Sequence, residues 1–363
     1  MRIIAGGFGN PSRVSDDNVA GVPPRLRDEP ALIQAVKTIH EAIRAEVMAA
    51  CRRASFDQMA AVTGKQAGDV IYGVDRVTER VLVERFAALA RKWPCLLIAE
   101  GLGVSGRRML PDGTPESAAE IVALCDPIDG TRGLMYQKRP AWILTGIALY
   151  RGGRETLADI SLAVQTEIPL VKQNLADTLW AVAGEGARAE RIDLVTGARA
   201  PLPLQPSQAT TIAHGFGGLA KFFSGTRAEL AAIDDAVVAR VLGGRGDDGD
   251  PLVFDDEYLT SAGQLYELAV GHDRWMADLR PLLLPARRAA GRAPIFCAHP
   301  YDLSCELIAR EAGVIVTDPR GARLAAPLDV TSDVAWVGFA NAELARSVGG
   351  ALTAELAARG LLP

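Results

Sequence analysis

The apolar run Ile121–Cys125 passes without transition into Asp126-Pro127-Ile128-Asp129-Gly130-Thr131. Such a run, bounded by turn residues, reads as a buried strand that ends in two carboxylates three residues apart. Pro127 fixes the backbone between the acids, so both side chains and the Ile128 carbonyl can point to one place. Gly130 permits close backbone approach, and Thr131 adds a hydroxyl. Hard cations such as Mg²⁺ take oxygen ligands of this kind and share them with phosphate groups. A helix beginning after Thr131 would let the Gly130 and Thr131 amides present an anion site at its N-terminus. The two acids alone fit equally well a tight turn whose Asp side chains satisfy backbone amides.

The rest of the chain reads as layered α/β structure. Residues 1–30, rich in Gly, Pro and Asp, read as an irregular N-terminal arm. Leu32, Val36, Ile39, Ile43 and Val47 recur at helical spacing and predict one buried helix face. A second helix is predicted from about Asp75, with Val77, Val81, Leu82, Phe86 and Leu89 on one stripe, stopping before Pro94. Cys95–Ala99, Trp142–Tyr150, Ile160–Thr166 and Thr178–Ala183 read as further strands. Pro201, Pro203 and Pro206 forbid a regular ladder and mark a linker. This divides the chain into an N-terminal α+β part, 31–206, and a C-terminal α/β part, 207–363. In the latter, Ser261–Gly271 and Asp302–Ala312 read as helices, and Val314–Thr317 and Val334–Phe339 as strands.

Composition narrows the class. Of 363 residues, 49% are hydrophobic and 23% charged, enough apolar surface for a packed core. Lys+Arg 39 against Asp+Glu 44 leaves a net charge of −5, which offers no basic footprint for nucleic acid. The longest uncharged apolar stretch, Ala141–Tyr150, is far short of the ~20 residues that span a bilayer, so no membrane partner is expected. The start MRIIAGGFGN reaches Gly and Asn too soon for the apolar region of a signal peptide. Five cysteines without CxxC spacing read as reduced thiols, and a cytoplasmic location is expected.

Several other acids need weighing. Glu100 ends the run Cys95–Ala99, where strand ends commonly place functional groups; alone it reads equally as a loop carboxylate. Asp69 and Asp75 bracket the start of the second helix, and Asp302 opens a later one; Asp75 and Asp302 each alone read as an ordinary N-cap. The acidic loop 246–256 lacks the ligand spacing of an EF-hand and reads as solvated.

Taken in order, these elements resemble the magnesium-dependent, lithium-sensitive phosphatases typified by inositol monophosphatase, with bisphosphate nucleotidases and fructose-1,6-bisphosphatases among them. The resemblance covers about residues 30–345. It is carried by Asp69, Asp75, Glu100, the Asp126–Thr131 signature, Gly184-Glu-Gly-Ala187, and Asp302 followed by Glu311-Ala-Gly313. It implies an αβαβα sandwich, a homodimer, and a phosphomonoesterase acting on a small polyol, sugar or cyclitol phosphate, a small-molecule ester. It also implies two or three Mg²⁺ ions. Glu100, Asp126 and the Ile128 carbonyl would hold one, and Asp126, Asp129 and Asp302 another. Thr131 and Asp75 match the family's hydroxyl–carboxylate pair that orients the attacking water, and the Gly130 and Thr131 amides match its phosphate cradle.

The departures from the family pattern bear on activity and substrate. Gly101 stands where a second Glu is usual, Tyr72 where Thr is usual, and Tyr301 where Trp is usual. These motivate a non-enzymatic alternative, a dormant relative that binds a phosphorylated metabolite. Arg132-Gly133-Leu134 is closer to the bisphosphate nucleotidases than to the inositol phosphatases, so a 3′,5′-bisphosphate nucleotidase or a fructose-1,6-bisphosphatase is the alternative activity. Arg132, Lys138 and Arg139 could meet a second anionic group, or form a solvated basic turn. Asp278 or Arg280 falls near the family position that binds a substrate hydroxyl. The segment Pro281–Phe296 that follows is additional. His299, beside Asp302, reads either as a support for that acid or as a satisfied structural histidine, the second being the more ordinary role.

Overall fold

The computed structural model describes residues 25–53, 62–66, 69–72, 75–103, 105–245 and 251–362, with the backbone alone described between 62 and 79. Helix α1 (Glu29–Arg53) is followed by a two-stranded antiparallel ribbon of β1 (Val62–Gln66) and β2 (Asp69–Tyr72), and then by α2 (Asp75–Leu89). An eight-stranded sheet comprises β3 (Cys95–Ala99), β4 (Arg107–Leu110), β5 (Ile121–Asp129), β6 (Ala141–Leu149), β7 (Leu162–Ile168), β8 (Leu175–Val182), β9 (Ala187–Asp193) and β10 (Arg199–Pro201). Its spatial order is β10-β9-β8-β7-β6-β5-β3-β4, and only β3 and β5 are parallel neighbours. The short helix α3 (Thr131–Met135) lies between β5 and β6.

A second sheet holds β11 (Gly215–Leu219), β12 (Val253–Phe254), β13 (Asp273–Asp278), β14 (Ile315–Thr317) and β15 (Trp336–Phe339), in the order β12-β11-β13-β15-β14. With it come α4 (Arg227–Val241), α5 (Ser261–Ala269), α6 (Leu284–Ala289), α7 (Glu306–Glu311) and α8 (Ala342–Ala358).

The period of two along each strand sorts the core into two halves. Leu97, Ala123, Cys125, Ile143 and Ile147 face α1 and α2, whereas Leu96, Leu124, Trp142 and Leu144 face the opposite way, toward α5, α7 and the second sheet. Helices α4 and α8 pack on each other and close the far side of that sheet. Five layers result, in the order αβαβα. The predicted stripe of α1 is buried, with Leu32, Val36, Ile43 and Val47 fully so. Each such side chain contributes up to about 1.5–3 kcal/mol by leaving water. His40 on the same helix is also fully buried, bonded to Thr166 Oγ1 (3.0 Å) and Thr145 Oγ1 (2.9 Å) of β7 and β6.

Several elements depart from the sequence-based expectations. Helix α1 begins at Glu29, inside the expected arm, where the Glu29 carboxylate accepts a bond from the Leu26 amide (3.0 Å). The rest of the arm, 1–24, lies outside the described residues. The expected helix 302–312 divides into a 3₁₀ turn, Pro300–Leu303, and α7. The acidic loop is only partly a loop. Residues 246–250 lie outside the described residues, Val253 and Phe254 pair with β11, and Asp255 and Asp256 bond to Lys221 and Arg139. The additional segment folds as a 3₁₀ turn and α6. Strand β13 carries charged residues at both ends, which hides it from a search for apolar runs.

Candidate active site

Asp126 and Asp129 share one side of β5 because the strand bulges between them. Residues three apart on a regular strand point to opposite faces. Here Asp126 pairs with Leu144 and Asp129 with Trp142, so three steps on β5 oppose two on β6. The inserted residue turns Asp129 back to the side of Asp126. The Asp126 Oδ1 accepts from the Ile128 amide (2.9 Å), so the tight-turn reading of this acid also holds. The Asp129 Oδ2 accepts from the Thr260 hydroxyl (2.6 Å) and the Ala262 amide (2.8 Å). Thr260 is the N-cap of α5, and its hydroxyl oxygen also accepts from the Gly263 amide (2.9 Å).

Asp302 arrives from the opposite direction, in the turn Pro300–Leu303, where its Oδ2 accepts from the His299 amide (2.6 Å). Asp126, Asp129 and Asp302 each offer a carboxylate oxygen within 4.8 Å of the others. Asp126 is 1% and Asp129 6% exposed, so the cluster is largely withdrawn from water. Burial first, and then the charges of Glu100, Asp129 and Asp302, push the Asp126 carboxyl well above its ordinary range. Burial raises Asp129 to about 7 against its bonds to Thr260 and Ala262. Burial and then the Asp129 charge raise Asp302, against the His299 amide and Arg280. Three mutually repelling, oxygen-only donors at this spacing fit a hard divalent cation, whose charge would relieve their crowding.

The other expected site residues are placed as follows. Glu100 lies in the turn after β3, outside the group of three but near enough for its charge to raise Asp126 and Asp302. Gly130 precedes α3 with φ +96°, a backbone region that favours glycine. The Thr131 hydroxyl donates to the Ile128 carbonyl (2.9 Å). The backbone of Asp75 opens α2 and that of Asp69 opens β2; their side chains, and that of Tyr72, lie outside the described residues. Gly101 has φ +82°, so a Glu there would be strained. Arg139 bonds to Asp256, whereas Lys138 is exposed. Asp278 and Arg280, expected to face substrate, engage one another: Arg280 Nε and amide bond to Asp278 Oδ1 (2.8 and 3.1 Å), and Nη2 to Oδ2. His299 donates Nδ1–H to the Ser332 carbonyl (2.9 Å) and is structural in that respect.

Sequence reasoning did not single out Thr260 or Gly146. Thr260 had a usable signal, a Thr directly before a run of small residues that opens a helix. Gly146 had none, because its role comes from a partner far along the chain.

No protein-family model and no curated protein sequence matches the chain. Solved structures do. The chain is similar to the inositol monophosphatase of Anabaena (Nostoc) sp. PCC 7120 at 14% identity and TM-score 0.56, covering 92% of this chain and 100% of that one. It is similar to the fructose-1,6-bisphosphatase of Leishmania major at 11% identity and TM-score 0.64, covering 91% and 95%. It is similar to Mycobacterium tuberculosis SuhB at 18% identity and TM-score 0.57, covering 91% and 98%. The layered architecture and these likenesses together show that the chain has the inositol monophosphatase and fructose-1,6-bisphosphatase fold.

Proposed function

We propose that the protein is a Mg²⁺-dependent phosphomonoesterase that acts on a small polyol, sugar or cyclitol phosphate. The observation that carries this reading is the trio of buried Asp126 and Asp129 with half-buried Asp302, and the Glu100 charge beside it. When bound, Mg²⁺ supplies Lewis-acid stabilisation of phosphoryl charge and acidifies water. The chain's own residues do the rest. Asp126, Asp129 and Asp302 hold the cation, Glu100 and the Ile128 carbonyl contribute to a further ion, and two or three ions are expected in total. The Gly130 and Thr131 amides receive the phosphate oxygens. The Thr131 hydroxyl, paired with Asp75, orients the attacking water. Thr260 holds Asp129 in place, leaving the carboxylate geometry set before substrate arrives.

Among the described residues, no helix is long and apolar enough to cross a membrane. The five cysteines, all free and buried, suit a reducing compartment, and we assign the protein to the cytoplasm, as a homodimer that sedimentation would detect. The test is phosphate release with and without Mg²⁺ from an inositol monophosphate, fructose 1,6-bisphosphate and adenosine 3′,5′-bisphosphate. Hydrolysis of at least one ester that requires Mg²⁺ and is lost in Asp126→Asn is expected. No Mg²⁺-dependent hydrolysis of any phosphomonoester overturns the reading.

A further inference from the structure

The stretch between β12 and α5, residues 255–260, is stitched to both halves of the fold. Asp255 bonds to Lys221, which follows β11 and also bonds to Asp234 of α4. Asp256, Tyr258 and Thr260, at alternate positions, reach the other way, to the segment 129–142. Asp256 bonds to Arg139. The Tyr258 hydroxyl accepts from the Trp142 indole N–H (2.9 Å) and donates to the Pro140 carbonyl (3.2 Å). The Thr260 hydroxyl donates to Asp129 (2.6 Å). Of the cations that follow Thr131, Arg132 lies over the rings of Phe223 and Phe296, at 5.2 and 5.5 Å from their centres. Arg139 turns instead to this stretch, where it lies over the Tyr258 ring at 5.3 Å.

These contacts close a ring through the site. Trp142 is the register partner of Asp129 across β5 and β6, and its indole holds the Tyr258 hydroxyl. The Tyr258 carbonyl accepts from the Thr260 amide (2.8 Å) and from the Gln264 side chain (3.0 Å), and Thr260 returns to Asp129. Gly263, in the first turn of α5, leaves room for this arrangement. A Cβ there would lie 2.5 Å from the Tyr258 ring and 2.8 Å from Thr260 Cγ2. Thr260 also backs the turn after β5, since a Cβ on Gly130 would lie 3.2 Å from Thr260 Cβ and Cγ2. One side chain therefore touches both an acid of the cation trio and the glycine that opens the anion turn. Tyr258 and Thr260 are buried, so water does not replace their bonds when one is lost.

We propose that Tyr258 is a positioning residue that acts through Thr260. It sets Asp129 and Gly130 relative to one another, so that the cation and the phosphate oxygens are received at one place. Tyr258 touches neither of them itself. This rests on the phosphatase reading above and adds to it the group that fixes the geometry.

The test is calorimetric titration with Mg²⁺, with thermal melts of the same proteins beside it. Tyr258→Phe keeps the ring and removes the hydroxyl, and Mg²⁺ affinity should fall roughly fivefold or more. Thr260→Val, close in shape to the parent residue, should lower it at least as far. In the double variant the loss should be no greater than in Thr260→Val alone, because one residue acts through the other. Val348→Ala opens a cavity at a fully buried position of α8, on the far side of the second sheet. It should lower the melting temperature and leave Mg²⁺ affinity unchanged. A Tyr258→Phe variant that binds Mg²⁺ as the parent does overturns the proposal and leaves the phosphatase reading intact, whatever its melting temperature. Additive losses in the double variant overturn it as well. Should Tyr258→Phe fail to fold, Arg139→Gln loosens the same stretch from its solvent side, and unchanged Mg²⁺ affinity there overturns the proposal. A parent that binds no Mg²⁺ overturns both readings.

Discussion

Gly146 and Ser304 approach so closely that a side chain on Gly146 would place its Cβ 2.3 Å from the Ser304 carbonyl oxygen. Gly146 lies on β6, opposite Leu124 and on the face that carries Asp126 and Asp129. Ser304 follows the turn that holds Asp302. The missing side chain is what lets that turn lie on the sheet. Cys305 seals the contact by donating its thiol to the Val164 carbonyl (3.1 Å).

Gly146→Ala should therefore displace Asp302 from the other two acids. The new methyl also meets Ile160 Cδ1 at 2.7 Å, and forcing a group into a packed site costs about 1–3 kcal/mol. Mg²⁺ affinity by calorimetry should fall at least tenfold, together with the melting temperature. A variant that melts lower and binds Mg²⁺ as the parent does would show that the contact serves stability alone.

Asp126→Asn should abolish hydrolysis and, in the absence of metal, stabilise the fold. Three carboxylates within 4.8 Å repel one another, and burial already raises all three. Replacing the most crowded of the three carboxyls by a neutral amide should raise the melting temperature in EDTA, as expected where function holds a site in a strained arrangement. Mg²⁺ at a hundredfold excess over its Kd should stabilise the parent by about 2.7 kcal/mol and the variant hardly at all. Thermal melts of both proteins with EDTA and with Mg²⁺ would reveal the crossing. A variant less stable than the parent in EDTA would contradict this account of the cluster.

Local pattern carried much of this site, and distance in sequence hid the rest. The run into Asp126 and Asp129 was legible because strand, turn and acids are contiguous. That Gly184-Glu-Gly-Ala187 and Glu311 belong together was visible only as shared order. In the fold, the Glu311 carboxylate accepts from the Gly184 and Gly186 amides (2.9 and 2.8 Å), joining α7 to the turn between β8 and β9. Thr260, Gly146 and the Trp142–Tyr258 contact are long-range pairings for which a single sequence has no local signal. The helices α4 and α8 do bury spaced apolar residues, among them Leu230, Ile233 and Val237, and Leu344, Val348 and Leu352. Alanines fill much of the space between, which blurs the stripe.

Lithium should inhibit the proposed phosphatase activity. Li⁺ is close to Mg²⁺ in size and carries half its charge, so it can enter the Asp126, Asp129 and Asp302 position while stabilising phosphoryl charge less well. Steady-state phosphate release at saturating Mg²⁺ should fall with millimolar or higher LiCl, in an uncompetitive or mixed pattern. NaCl at equal ionic strength is the control. Superimposable curves for the two salts would remove the prediction.

Acid should weaken the fold through His40. This imidazole is fully buried between α1 and the large sheet, and burial followed by the Arg44 charge lowers its pKa to about 3. Thr145 donates its hydroxyl to Cys125 Sγ (3.5 Å), so it accepts from His40 Nε2–H, and Nδ1 accepts from Thr166. Both ring nitrogens are thus satisfied in the neutral form. The unfolded chain binds a proton on this residue below about pH 6.5, and the folded chain only below about 3. Between those values the unfolded state holds more protons, so stability falls as the pH is lowered, by up to about 1.4 kcal/mol per unit from this group. Glu167, raised to about 7 chiefly by burial, contributes with the opposite sign, so the total slope is not diagnostic. The difference between parent and His40→Gln is. Denaturant melts from pH 7 to pH 4 should show the parent losing stability relative to the variant with each unit of acid. A constant difference across that range would mean that His40 takes up its proton in the fold at the same pH as in the unfolded chain.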